Sequence, residues 1–201
     1  PLGNTYLHLA FKGPEITQIQ KLLISHHQLD INSLNILNET PLIKALKNGN
    51  EELADLILNH PKFNPRLNNM NYAFFLSMKM KDISRQIIKM ESLDVNYNYQ
   101  QEDNITNPLI ESIKINDFEL IESIINHPSF SLIKSKINTC LFLTIELKNT
   151  NLFKFFVKLD GVDINIKNMQ NQSLLYLASL NEDDEILDVI LENENFVKEN
   201  S

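Results

Sequence analysis

The chain has 201 residues, 43% of them hydrophobic, which is enough to bury a sizeable core, and it contains no apolar stretch approaching the ~18 residues of a membrane-spanning helix. Its net charge of -8 argues against general nucleic-acid binding, which needs Lys and Arg to displace phosphate counterions, and against docking on an anionic membrane. Cys140 is the only cysteine, so no intrachain disulfide forms and a reducing compartment is expected, the cytoplasm or the nucleus.

No signal peptide is visible, and the opening Pro-Leu-Gly without Met reads as a protease-tag remnant on an excised fragment. From there a phrase recurs: Ser25-His26-His27, Asn59-His60-Pro61 and Asn126-His127-Pro128 each follow an apolar run. Ile31, Phe63, Val95, Phe130, Ile164 and Phe196 fall at steps of 32, 32, 35, 34 and 32, a mean of 33. A second marker keeps the same beat at Thr5-Tyr6-Leu7-His8, Thr40-Pro41-Leu42-Ile43, Asn71-Tyr72-Ala73-Phe74, Asn107-Pro108-Leu109-Ile110, Thr139-Cys140-Leu141-Phe142 and Ser173-Leu174-Leu175-Tyr176. Two markers sharing one period across the chain indicate a repeat architecture. Six units are expected, at roughly 4–36, 37–68, 69–102, 103–135, 136–168 and 169–201, forming a single domain.

Each unit reads as two short helices. In the second, Thr40 is a suitable N-cap, Pro41 fits the first helical position, and Leu42, Ala45 and Leu46 share a face. Asn48-Gly49-Asn50 breaks that helix, and Glu51 and Glu52 open the next with negative charge near its N-terminus. Leu53, Leu56 and Ile57 supply its buried stripe, and Asn59-His60-Pro61 closes it. The fourth unit repeats the grammar with Pro108, Leu109, Ile113, Leu120, Ile121 and Ile124. The spacing therefore predicts an all-α array in which Leu56 and Ile124 are core.

These residues resemble the ankyrin repeat. Thr40-Pro41-Leu42 is similar to its Thr-Pro-Leu-His signature, Leu7-His8-Leu9-Ala10 to its Leu-His-x-Ala core, and Asp30-Ile31-Asn32, Asp94-Val95-Asn96 and Asp163-Ile164-Asn165 to its Asp-Val-Asn ending. The Asn- and Lys-rich wording is similar to ankyrin proteins of unicellular eukaryotes with AT-rich genomes. The third unit, Asn71–Asn96, is degenerate, and the glycine of the first interhelical turn survives only as Gly49. The resemblance implies an ankyrin-type solenoid of helix-turn-helix units joined by hairpin-like loops.

The recurrent His is read as helix punctuation, a cation favoured at the negative helix end. His26 and His27 are adjacent, so their side chains point about 100° apart on a helix and do not share a metal. Cys140 takes the Pro slot of the fifth unit and is expected to be a small buried residue. None of the four glycines lies in a phosphate-binding loop, and no nucleophile-base grouping is apparent. Asp183-Asp184 reads as a solvated acidic turn. Phe74, Phe75, Phe153, Phe155 and Phe156 are expected mainly to fill inter-repeat space. The reading is a chain that is not an enzyme, with no cofactor and no metal.

In proteins resembling this one, partners bind the concave side built from hairpin tips and first helices. Mapped unit by unit, that surface includes Lys47 and Asn48, Asn68 and Met70, Met78 and Lys79, Lys114, and Lys134 and Lys136, with Glu146, Gln170 and Asn181 beside them. The lengthened insert Tyr97-Asn98-Tyr99-Gln100-Gln101-Glu102 offers two tyrosines as contact anchors. Residues 62–91 carry a local balance of +4, suited to an acidic partner segment, and residues 182–199 a balance of -7, suited to a terminal capping unit. The expected function is a non-catalytic protein-protein interaction module, monomeric as this fragment. The alternative is a regulatory or substrate-targeting ankyrin domain of a larger enzyme or receptor.

Overall fold

A computed structural model describes residues 5–9, 18–26, 29–101 and 104–197. Ala10, His27, Glu102, Lys198 and Glu199, named above, lie outside the described residues. The described chain is mostly helical, with one small two-stranded hairpin. It divides into two compact units: the chain up to Tyr97 together with His127–Ser129, and Asn98–Asn126 together with the chain from Phe130 onward.

The first unit holds α1 (Tyr6–Leu9), α2 (Gln18–Ser25), α3 (Pro41–Lys47), α4 (Glu51–Leu58), α5 (Met70–Ser77) and α6 (Lys81–Ile87). The second holds β1 (Tyr99–Gln101), β2 (Asn104–Thr106), α7 (Pro108–Lys114), α8 (Phe118–Ile125), α9 (Ile137–Glu146), α10 (Thr150–Phe156), α11 (Leu174–Leu180) and α12 (Asp184–Leu191). The helices pair in sequence order, α1 with α2 through α11 with α12. First helices pack on first helices, α1 on α3 on α5 and α7 on α9 on α11, while α2 packs on α4, α4 on α6 and α10 on α12.

The local chemistry explains why these short segments are helical. Thr40, Asn107 and Ser173 accept the N–H of Ile43, Ile110 and Tyr176, capping α3, α7 and α11. Asn50, Asp117, Asn149 and Asp183 do the same for α4, α8, α10 and α12. Asp183 is thus a helix cap rather than only part of a solvated turn.

Between the two helices of these four hairpins runs one turn. The N–H groups of Asn50, Asp117, Asn149 and Asp183 reach back to the carbonyls of Ala45, Ser112, Thr144 and Ala178, and those four residues are fully buried. The residue before each cap, Gly49, Asn116, Lys148 or Glu182, has positive φ and donates to the carbonyl of the second-last helical residue, Leu46, Ile113, Ile145 or Ser179. This is the Schellman closure, which satisfies carbonyls a helix end leaves open. The third hairpin lacks it: Met80 precedes α6 and makes no side-chain cap, because its thioether is a poor acceptor. The degenerate unit still forms a hairpin, with a different turn.

Neighbouring repeats are stapled by asparagine. The backbone N–H of Asn32, Asn96 and Asn165 bonds to Asp30, Asp94 and Asp163 two residues earlier, a turn that fixes each side chain's direction. Their side-chain amides then donate to the carbonyls of Lys62, Ser129 and Asn195, at 2.8, 2.6 and 2.8 Å. Asn32 and Asn165 also accept the N–H of Asn64 and Val197, each 32 residues on.

Three expectations change. Leu56 is only half-buried, and Ala54 takes the fully buried place beside Leu53 and Ile57, whereas Ile124 is fully buried as expected. Helix α9 begins at Ile137, a turn early, so Cys140 lies inside it rather than at its first position. The ring nitrogens Nδ1 of His60 and His127 accept the N–H of Lys62 and Ser129, two residues on. Pro61 and Pro128 have no N–H, so the ring serves the next donor in the turn, acting as an acceptor instead of a cation at the helix end.

Candidate partner-binding surface

The capped starts put the first helices in register, so surface positions can be compared repeat by repeat. Three residues after the caps Thr40, Asn107 and Ser173 stand Ile43, Ile110 and Tyr176, and Phe142 holds the matching place in α9. Ile43 and Ile110 are buried, Phe142 is half-buried, and Tyr176 is 48% exposed. One turn later the column reads Lys47, Lys114, Glu146 and Leu180, all on the surface. Each unit thus presents the ends of its first helices to solvent with its own side chains.

In the first unit, this face is organised by Glu39. Its carboxylate, almost wholly buried, lies 2.6 Å from Lys47 Nζ and 3.1 Å from the Asn35 amide. The Lys47 bond, helped by Asn35 and opposed by burial, holds the Glu39 carboxyl below the ordinary carboxylate range. The same bond raises Lys47 above the ordinary lysine range. Lys47 also sits 5.5 Å over the Tyr72 ring, where the ring face favours a cation. The Glu39 carbonyl, for its part, accepts from Nε2 of buried His8 at 2.9 Å.

Residues 35–40 and 168–173 form the same tip. Asn35 and Asn168 accept two backbone N–H groups through Oδ1, donate through Nδ2 to Glu39 or Gln172, and close on the carbonyl of that residue. Asn38 and Asn171 take positive φ. With the polar groups so occupied, Ile36, Leu37 and Met169 are left projecting into solvent. The shared wording Asn-x-x-Asn-Glu/Gln-Thr/Ser is the signal that sequence reasoning missed.

The residues singled out in the sequence separate into two groups. Lys47, Lys79, Lys114, Lys134 and Tyr97 are exposed, while Asn48 and Lys136 are half-exposed. Asn48 ends α3, and Lys136 precedes α9 in the left-handed region. Lys114 is paired with Glu111 at 2.7 Å. Met70, Met78, Asn68 and Tyr99 are buried, so they do not present contact surface. The methionines lie at the ends of α5 and fill its packed side. Asn68 donates to Asn32 Oδ1 and the Asn64 carbonyl. Tyr99 is drawn in by the antiparallel pairing of β1 with β2, which sets it opposite buried Thr106. Alternation along the strand leaves Ile105 exposed instead.

In the second unit, Tyr176 and Leu180 stand four residues apart on α11, and Leu147 caps the end of α9; all three are about half exposed or more. Among the described residues, no group of three His, Cys, Asp or Glu side chains gathers to hold a metal. Cys140 is sealed in the core, and burial pushes its thiol up to about 12. No helix among the described residues is long and apolar enough to cross a membrane. No protein-family model matches the chain, and no curated protein matches it.

Proposed function

We propose that the chain is a non-catalytic protein-interaction module of ankyrin-like repeats, three helical hairpins in each unit, working in the cytoplasm or nucleus as a monomer. The observation that carries this reading is the recurrence of one surface in each unit. Side-chain caps and Schellman turns fix the ends of first helices, and large side chains stand out from those ends and from the loops: Tyr97, Ile36 and Leu37 in one unit, Tyr176, Leu180 and Met169 in the other. Aromatic and aliphatic anchors on rigid elements are what binding hot spots are made of. Lys79 and Lys134 set the charge around them and steer an acidic partner segment.

The test is site-specific photo-crosslinking of the full chain in cell extract. A photoreactive residue is placed at Ile36, Lys79, Tyr176 or Leu180, and for comparison at Asn151, exposed in α10, or Lys158, exposed in the turn after it. A common crosslinked protein from the first set and none from the second is expected. Equal capture from both sets would remove the assignment.

A further inference from the structure

We propose that His127 makes the tip at residues 127–129 a pH-sensitive latch, closed by the neutral ring and opened when that ring takes up a proton. The device stands apart from the interaction-module reading and does not depend on it.

The latch is one case of a recurrent geometry. His60, His127 and Asn193 each stand two residues after the end of a second helix, α4, α8 or α12. Each accepts the backbone N–H two residues further on, that of Lys62, Ser129 or Asn195, at 3.1, 3.2 and 2.9 Å. The carbonyls of those same three residues receive the side-chain amides of Asn32, Asn96 and Asn165. One residue in each tip is thus held at its N–H by an imidazole or an amide, and at its carbonyl by an asparagine staple. The amide oxygen of Asn193 accepts at any pH. An imidazole accepts only while Nδ1 is bare.

At His127 the most rests on that bond. The ring is 8% exposed, whereas His60 is half-exposed. Ser129 Oγ accepts the N–H of buried Val95 at 3.1 Å and lies 2.8 Å from His127 Nδ1. A backbone N–H can only donate, so the Ser129 N–H fixes Nδ1 as an acceptor and leaves the ring hydrogen on Nε2. The Ser129 hydroxyl then gives its hydrogen to Nδ1 while receiving that of Val95. All of these residues belong to the first unit.

Protonation places a second N–H on the ring, aimed at the Ser129 N–H. That donor loses its acceptor, and the hydroxyl has to turn. The charged side chains on the segments that meet here are Lys89, Glu91 and Asp94 after α6, and Glu122 before the ring on α8. Among the described residues none of them pairs with the imidazole, and Asp94 Oδ1 is taken by the backbone and side-chain N–H groups of Asn96. No carboxylate there compensates the new donor. Ser129 is therefore released from His127 first, and its hold on Val95 and Asn96 goes with it.

Amide hydrogen exchange of the full chain, followed by NMR at about pH 8 and about pH 5, spans the range in which imidazole changes charge. Protection of the Val95 and Ser129 amides, corrected for intrinsic exchange, is expected to fall at least about tenfold in acid. His127→Asn installs the side chain that makes this bond at position 193, so it keeps both amides protected at either pH. His60→Asn leaves Val95 as in wild type. His8, whose Nδ1 accepts the Thr5 N–H, is common to all three chains. Equal loss of protection in His127→Asn would assign the effect to other groups and overturn the proposal, as would undiminished protection in wild type. Should His127→Asn unfold, the nitrogen shifts of the wild-type ring still decide. A bare Nδ1 at about pH 8 that gains its hydrogen as Val95 loses protection supports the latch, and a hydrogen already on Nδ1 at about pH 8 refutes it.

Discussion

Lys47 Nζ lies 2.6 Å from Glu39 Oε1, a pair whose carboxylate is buried while its lysine keeps more than a third of its side chain in solvent. Two chain segments meet there, the loop tip before α3 and the last turn of α3, and the Tyr72 ring adds a third. The pair fastens the tip that presents Ile36 and Leu37.

Glu39→Gln therefore loses a charged bond and keeps a similar shape. The cost at neutral pH is about 1–2 kcal/mol, limited by the solvent around Lys47. The carboxyl is lowered in the folded state, so its stabilisation is complete above the ordinary carboxylate value and fades as pH falls through the lowered one. Lys47 is raised, so its contribution is complete below the ordinary lysine value and lost as pH climbs through the raised one. Between these limits the difference between wild type and Glu39→Gln is constant, and in acid it shrinks. Urea unfolding of both proteins at neutral pH and at the acid end measures it; a difference that grows in acid would contradict the pairing.

The asparagine staples are graded by burial. Asn96 is almost fully buried and donates at 2.6 Å to Ser129, so Asn96→Ala strands a carbonyl and costs about 1–3 kcal/mol. Asn165 makes the equivalent bonds to Asn195 and Val197 in solvent. Asn165→Ala costs less, under about 1 kcal/mol, because water replaces what is lost. Thermal melts of the two variants give the order, and a larger loss at Asn165 would refute it.

Much of this was legible in the sequence because periodic features have local causes. Thr40, Pro41, Gly49 and the carboxylates of Glu51 and Glu52 act on their own helix ends, so reading them in order locates α3 and α4. The half-exposed Leu56 and the early start of α9 were not legible, since both depend on which neighbour covers a helix face. Among the surface residues, Lys47, Lys79 and Tyr97 emerge where charge or spacing put them. Met70, Met78 and Tyr99 do not, because apolar residues near a loop are claimed by whatever packing is within reach. The exposed Tyr176 and Leu180 escaped notice for the converse reason: Tyr176 follows the buried Ile43 and Ile110 in its column, Leu180 follows charged residues in its own, and no rule within one repeat marks either change.

Cys140 is predicted to be silent toward thiol reagents in the folded chain. Burial pushes its thiol up to about 12, so thiolate is scarce at ordinary pH, and the side chain is inaccessible besides. Reaction with a chromogenic disulfide at pH 8 should follow global unfolding, rising steeply only across the urea transition. Prompt stoichiometric labelling of native protein would mean that α9 opens locally or that the thiol is not where the fold places it.

The Schellman turns offer the sharpest comparison between repeats. Gly49, Asn116, Lys148 and Glu182 hold one backbone conformation, φ between +51° and +69°, with four different side chains. Glycine adopts it freely, asparagine tolerates it, and lysine and glutamate carry a Cβ that crowds the following carbonyl. Gly49→Ala thus costs about 1 kcal/mol although nothing lies within 4 Å of the added carbon, the penalty being conformational rather than steric. Glu182→Gly should do the reverse and raise stability by about 0.5–1 kcal/mol, with Asn116→Gly gaining less. Lys148→Gly gains least for its type, since Lys148 Nζ donates 3.0 Å to the Asn181 carbonyl and that bond goes with it. Chemical denaturation of the four variants orders them, and stabilisation by Gly49→Ala would show that the closing turn relaxes out of the left-handed region.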